Sequence, residues 1–133
     1  MYVYYTYTFI VINPCNCYTF VQTPTDWATA NRNCQQSNPK ATLASIDSAF
    51  ENSEILTSAL NQTGCSQIFI GLEEQSNNGW SWVNNDMSTY RNWRSGYPSS
   101  NSNQKCSQLN TNDGTWTNVD CASNGCYVCE IKN

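Results

Sequence analysis

Apolar and polar positions along the chain change pattern three times, and each pattern predicts its own kind of element. Residues 2–12 are nearly all aromatic or β-branched and carry no charge, which suits a strand ended by Asn13-Pro14. Tyr18-Thr19-Phe20-Val21-Gln22 alternates like a short strand. The spacing then turns helical, with Trp27, Ala30 and Cys34 forming one apolar stripe that ends at Asn38-Pro39. Thr23-Pro24-Thr25-Asp26 reads as its start, with Thr23 as N-cap, Pro24 at the first helical position and Asp26 reaching back. A second helix begins at Ser48, where Ser48-x-x-Glu51 has the form of a capping box, and Ile55, Leu56, Ala59 and Leu60 give its apolar face. From Cys65 onward the signals are short strands: Ile68–Leu72, Trp80–Val83, Thr115–Thr117 and Cys126–Ile131. Between them, Arg91 to Gln104 is rich in Ser and Asn and contains Gly96 and Pro98, which predicts a long irregular loop. Helices first and short strands after is an α+β order in one domain.

Composition narrows what such a domain does. Only 12% of the 133 residues are charged, the net charge is −4, and six Lys and Arg residues leave no basic footprint for nucleic acid. There is no His, which removes Ser-His-Asp and Cys-His catalysis and most zinc sites. Ten carboxylates include one adjacent pair, Glu73-Glu74, and strand neighbours point to opposite faces. Lys40, Lys105 and Lys132 sit in no Ser–Lys motif, so the reading is not an enzyme. Eight Cys without metal-ligand spacing read as a disulfide framework of a secreted or cell-surface protein. Asn61-Gln62-Thr63 is an N-glycosylation signal, read as a polar turn after the second helix. No stretch approaches the roughly 20 apolar residues of a membrane span. Residues 1–14 lack a basic n-region and a small-residue cleavage site, so they read as a strand or the remnant of a processed leader. An exposed strand there would be an adhesive edge.

Taken in order, these residues resemble the C-type lectin-like domain over about Cys17 to Ile131, making 15–133 the domain proper. The match includes Trp27, Ala30 and Cys34; Ala41-x-Leu43-Ala44-Ser45-Ile46; Phe69-Ile70-Gly71-Leu72; Trp80-x-Trp82; Asn92-Trp93-x-x-Gly96; and the block from Cys106 to Cys121 with Cys129 eight residues on. The resemblance implies two helices packed on short antiparallel strands with a long loop region, and disulfides Cys34–Cys129 and Cys106–Cys121. Cys65 is assigned to Cys126, since each opens a core strand; Cys15 and Cys17 stay unassigned. The cysteine about ten residues upstream with which family members often pair the Cys17 position is absent here.

Sugar-binding members hold a calcium ion in the long loop. Carried over residue by residue, the ligand positions are Tyr97-Pro98-Ser99, Gln104 and Thr117-Asn118, and no carboxylate remains among them. At a neighbouring auxiliary position Glu74 survives, while Lys105 brings a positive charge. The resemblance implies one more auxiliary calcium position, at Ser45, Glu51 and Glu130. The residues themselves favour a blander reading, with Glu51 capping its helix and Glu130 a solvated strand-end charge. No cofactor is expected. The mixture of Arg91, Arg94, Tyr97, Ser99, Asn101, Asn103, Gln104, Thr117 and Asn118 suits calcium-free recognition of a glycan or an extracellular protein. Trp93, like Trp27, Phe69, Trp82 and Trp116, is expected in the core. The competing expectation is a structural subunit assembled as a homo-oligomer or fibre through the tyrosine-rich N-terminal strand. Ice binding fits less well, because Thr residues lack a regular spacing.

Overall fold

The structure is a computed structural model that describes residues 7–13, 16–76 and 79–132. Readings placed on residues 1–6, Pro14 and Cys15 lie outside those residues. Ten elements follow in order: β1 (Tyr7–Asn13), β2 (Asn16–Thr25), α1 (Trp27–Ser37), β3 (Ala41–Leu43), α2 (Ala49–Thr63), β4 (Gln67–Glu74), β5 (Trp80–Trp82), β6 (Cys106–Asn110), β7 (Trp116–Val119) and β8 (Gly125–Lys132). The strands form one sheet in the order β1-β2-β8-β4-β6-β7, with β3 on β8 and β5 on β4. The sheet is mixed rather than wholly antiparallel as expected: β4 and β8 pair in parallel, Ile68 opposite Cys126 and Phe69 opposite Tyr127. A parallel pair needs a long connection, and here the chain makes β5, the long loop, β6 and β7 before returning.

β4 explains why its sequence is a continuous apolar run. Ile68, Ile70 and Leu72 enter one core with Phe20, Ile55, Ala59, Leu109, Trp116 and Val128. Phe69 faces the other way, into a second core with Trp27, Ala30, Cys34, Leu43 and Tyr127. α2 therefore covers one face of the sheet and α1 the other, and a strand buried on both faces loses its alternation. Gly71 has a steric reason: a Cβ there would stand 2.6 Å from the Leu43 carbonyl oxygen. The strand passes too close to β3 for any side chain.

Three local expectations are corrected. α1 starts at Trp27 with Asp26 as its N-cap, the Asp26 carboxylate accepting from the Thr29 amide at 3.0 Å. Thr23 and Pro24 belong to β2, which continues to Thr25 because Thr25 still pairs with Gly125. In α2, Leu60 is exposed and Leu56 half-buried, while Glu51 and Asn52 are buried beside Ile55 and Ala59. The buried stripe thus begins with two polar residues, each hydrogen-bonded: Glu51 to the Asp47 amide and Asn52 to Gly114 and Trp116. Asn61 lies in the last turn of α2, not in the turn after it, because the helix runs to Thr63 and ends at Gly64 with φ 67°.

Candidate functional site

The chain from Val83 to Lys105 contains no strand, only an isolated bridge from Trp93 to Trp116. Aromatic rings give this loop its floor. Trp116 is fully buried and receives Trp82, Tyr90 and Trp93 edge-on at 5.6, 5.7 and 6.1 Å between centroids, while Trp80 meets Trp93 at 5.0 Å. T-shaped pairs match the positive ring edge to the negative face. The Trp116 indole N–H donates to Asn52 Oδ1 at 2.8 Å, and the Asn52 amide donates to the Gly114 carbonyl at 3.0 Å. Asn52 is buried in α2 for this reason. Backbone bonds from the Arg94 amide to the Trp116 carbonyl and from the Trp116 amide to the Asn92 carbonyl, both 2.8 Å, dock the loop on β7.

Asn118 ties down the far side of the loop. Its Oδ1 accepts from the Ser99 amide at 2.8 Å, and its Nδ2 donates to the Ser99 and Gln104 carbonyls at 3.1 and 2.9 Å. The Ser99 hydroxyl donates to Gln104 Oε1 at 2.7 Å, and Thr117 accepts from Gln108 at 3.3 Å. The intervening Tyr97–Pro98 peptide is cis. Calcium takes six to eight oxygens with carboxylates supplying charge. Here the side chains are neutral, and the Asn118 amide is already engaged on both ends. This set does not fit a calcium ion.

The nine residues predicted to contact ligand do not stand equally. Arg94, Tyr97, Asn101 and Asn103 are exposed at the surface of the loop. Tyr97 is 38% exposed. Ser99 and Gln104 are half-buried, and Thr117 and Asn118 are buried as the frame. Arg91 is half-buried and helps hold the loop: its guanidinium donates to the Ser88, Tyr90 and Trp80 carbonyls and lies 5.5 Å over the Trp82 ring. Arg94 pairs loosely with Asp113, 3.7 Å away, both half-exposed.

The position of Ser45, Glu51 and Glu130 is where the bland reading fails. Glu130 is 1% exposed, not a solvated strand end, because it lies mid-β8 between β2 and β3, opposite Tyr18 and Thr42. Its Oε1 accepts from the Ser45 amide and hydroxyl at 2.9 and 3.1 Å. Burial pushes its carboxyl up to about 7. Glu51 caps its helix in part: Ser48 Oγ accepts from the Glu51 amide at 3.1 Å, but the carboxylate accepts from the Asp47 amide rather than that of Ser48. Its other oxygen accepts from the Tyr18 hydroxyl, and burial raises its carboxyl as well. Lys132, two residues beyond Glu130 on the same strand, donates to Asp86 and to Ser45 Oγ, the latter at 2.8 Å. Burial works against the Lys132 ammonium, but its carboxylate neighbours win and hold its proton more tightly than usual. Burial works against the Asp86 carboxylate too, but the Lys132 ammonium and the Ser88 amide hold it below the ordinary carboxylate range. Asp86, Lys132 and Asn84 were missed as members of this group; the signal in reach was Glu130-x-Lys132, a spacing that shares one strand face.

Among the described residues, three disulfides join Cys34 to Cys129, Cys65 to Cys126 and Cys106 to Cys121. Cys17 is a free thiol among the described residues. Among those residues also, no three side chains of His, Cys, Asp or Glu converge to hold a metal ion, and no helix is long and apolar enough to cross a membrane.

The family model of the lectin C-type domain matches residues 23–131. Rat lithostathine is 30% identical over 121 residues, which is 87% of this chain and 72% of that protein. Human C-type mannose receptor 2 is 33% identical over 120 residues, 88% of this chain and 8% of that protein. The crystal structure of human lithostathine superposes with a TM-score of 0.84 at 26% identity, covering 94% of this chain and 88% of that one. With the two helices, the mixed sheet and the long loop in place, the chain belongs to the C-type lectin family.

Proposed function

We propose that this domain is a calcium-independent recognition module of the extracellular space that binds a glycan or protein ligand through its long loop. The observation that carries the reading is the hydrogen-bond set of Asn118 with Ser99 and Gln104, which shapes the loop with neutral groups alone. A surface so shaped needs no ion to present Arg94, Tyr97, Asn101 and Asn103 outward. An aromatic face beside amide hydrogen bonders suits a sugar ring or a polar protein patch. Three disulfides favour an oxidising compartment. Membership in a family of binding domains, together with the lack of any His, argues for recognition rather than catalysis.

A glycan array probed with and without EDTA tests the reading. Binding indifferent to chelation is expected, and a signal abolished by EDTA would overturn it. Tyr97→Ala is expected to weaken binding by about 1–3 kcal/mol. Unchanged affinity with an intact near-ultraviolet circular dichroism spectrum moves the site to another face.

A second reading rests on β1, which forms one edge of the sheet. An edge strand presents unpaired amide and carbonyl groups to a neighbouring chain, so the domain also suits assembly through its N-terminal segment. Sedimentation of the full chain against one starting at Pro14 separates the two, with association expected only of the full chain.

A further inference from the structure

Glu130 Oε2 is buried with no hydrogen-bond partner among the described residues. It points to the Lys132 ammonium, 3.8 Å away. That ammonium also bonds Asp86 and Ser45 Oγ. Asn84 adds a donor to Ser45 Oγ at 3.0 Å. The cluster thus joins the end of β8, the segment after β3 and the turn after β5 around one cation supplied by the chain. Burying Glu130 and most of Asp86 without a positive charge would be costly, since an ion removed from water needs a partner.

We infer that Lys132 is the resident cation of this cluster, filling with its own ammonium the place a divalent metal would take and keeping the metal out. A calcium ion needs several oxygens around one centre at about 2.3–2.6 Å. The oxygens of Asp86, Ser45 and Glu130 are instead arranged around a nitrogen covalently tied to β8. The tether makes the cation unable to dissociate, so the junction is locked at any calcium concentration. Lys132 also brings Asp86, and with it the start of the long loop, against the sheet.

The inference concerns the junction alone and stands or falls independently of what the loop binds. Thermal melting in EDTA and in millimolar calcium chloride tests it. The wild-type protein is expected to melt at the same temperature in both. Lys132→Met and Lys132→Gln leave carboxylates without their cation, so both should melt lower in EDTA. Calcium should return about 5 °C of that loss by binding the folded state only. Lys132→Arg, which keeps the charge, should stay indifferent to calcium, and Glu130→Gln added to Lys132→Met should abolish the return. Isothermal titration of calcium into the wild-type protein gives a readout that needs no variant, and no heat of binding is expected. Calcium binding or a calcium-dependent melting shift in the wild-type protein overturns the inference. So does a folded Lys132→Gln or Lys132→Met protein that melts like wild type and ignores calcium.

Discussion

Asn118 accepts one hydrogen bond and donates two from a side chain only 4% exposed. An amide is the one group of its size that does both at once. A carboxylate in its place keeps the bond from the Ser99 amide but turns an acceptor toward the Ser99 and Gln104 carbonyls. Asn118→Asp is therefore expected to cost about 2 kcal/mol, the penalty for leaving buried polar groups unmatched. The midpoint of a urea transition measures it, and calcium should not restore the loss, because the neighbours stay neutral. A stability equal to wild type would mean the amide is not what fixes the loop. The sequence makes the lack of carboxylates at Tyr97, Ser99, Gln104, Thr117 and Asn118 plain. It does not reveal that three of these residues bond one another, because that pairing depends on which strand end faces which loop turn. The part Arg91 plays in holding the loop is hidden for the same reason: its three carbonyl acceptors become neighbours only after folding.

Elements were legible where one physical cause dominates and obscure where two compete. The Trp27, Ala30 and Cys34 stripe reads off directly, because α1 buries one face. Its start was ambiguous, since Thr23-Pro24 and Asp26 both carry cap chemistry and only strand pairing to Thr25 decides between them. Replacing the true cap costs about 1 kcal/mol. Asp26→Ala should lose that much in urea denaturation, and Thr23→Ala, on an exposed strand end, should lose less than half of it. The reverse order would restore the earlier start. β6 was not predicted, because Cys106-Ser107-Gln108-Leu109-Asn110 lacks apolar alternation. Ser107 is buried only because its hydroxyl donates to the Leu72 carbonyl at 2.6 Å, and Asn110 because its amide donates to the Thr115 carbonyl at 2.9 Å. Buried polar residues whose partners lie elsewhere in the chain leave no periodic trace.

At the scale of the whole molecule, the covalent bridges divide into those that hold the layers together and one that frames the loop. Cys34–Cys129 ties α1 to β8 across a sequence separation of 95, and Cys106–Cys121 closes only 15 between β6 and the end of β7. In the chain-entropy model, bridges of these lengths are worth about 4.7 and about 3 kcal/mol. Removing the first also empties space in the core under α1, where Cys34 is fully buried, so its cost should exceed the entropic value. Cys106 and Cys121 flank β7, which carries Thr117 and Asn118, so opening that bridge slackens the strand that pins the loop. The double variant Cys106→Ala/Cys121→Ala should then lose less stability than Cys34→Ala/Cys129→Ala but lose more ligand binding per kcal/mol. Calorimetric melting without reductant gives the first comparison, and titration of a ligand identified on the array gives the second. If both variants lose binding in proportion to stability, the short bridge only supports the fold, and the loop is held by its hydrogen bonds alone.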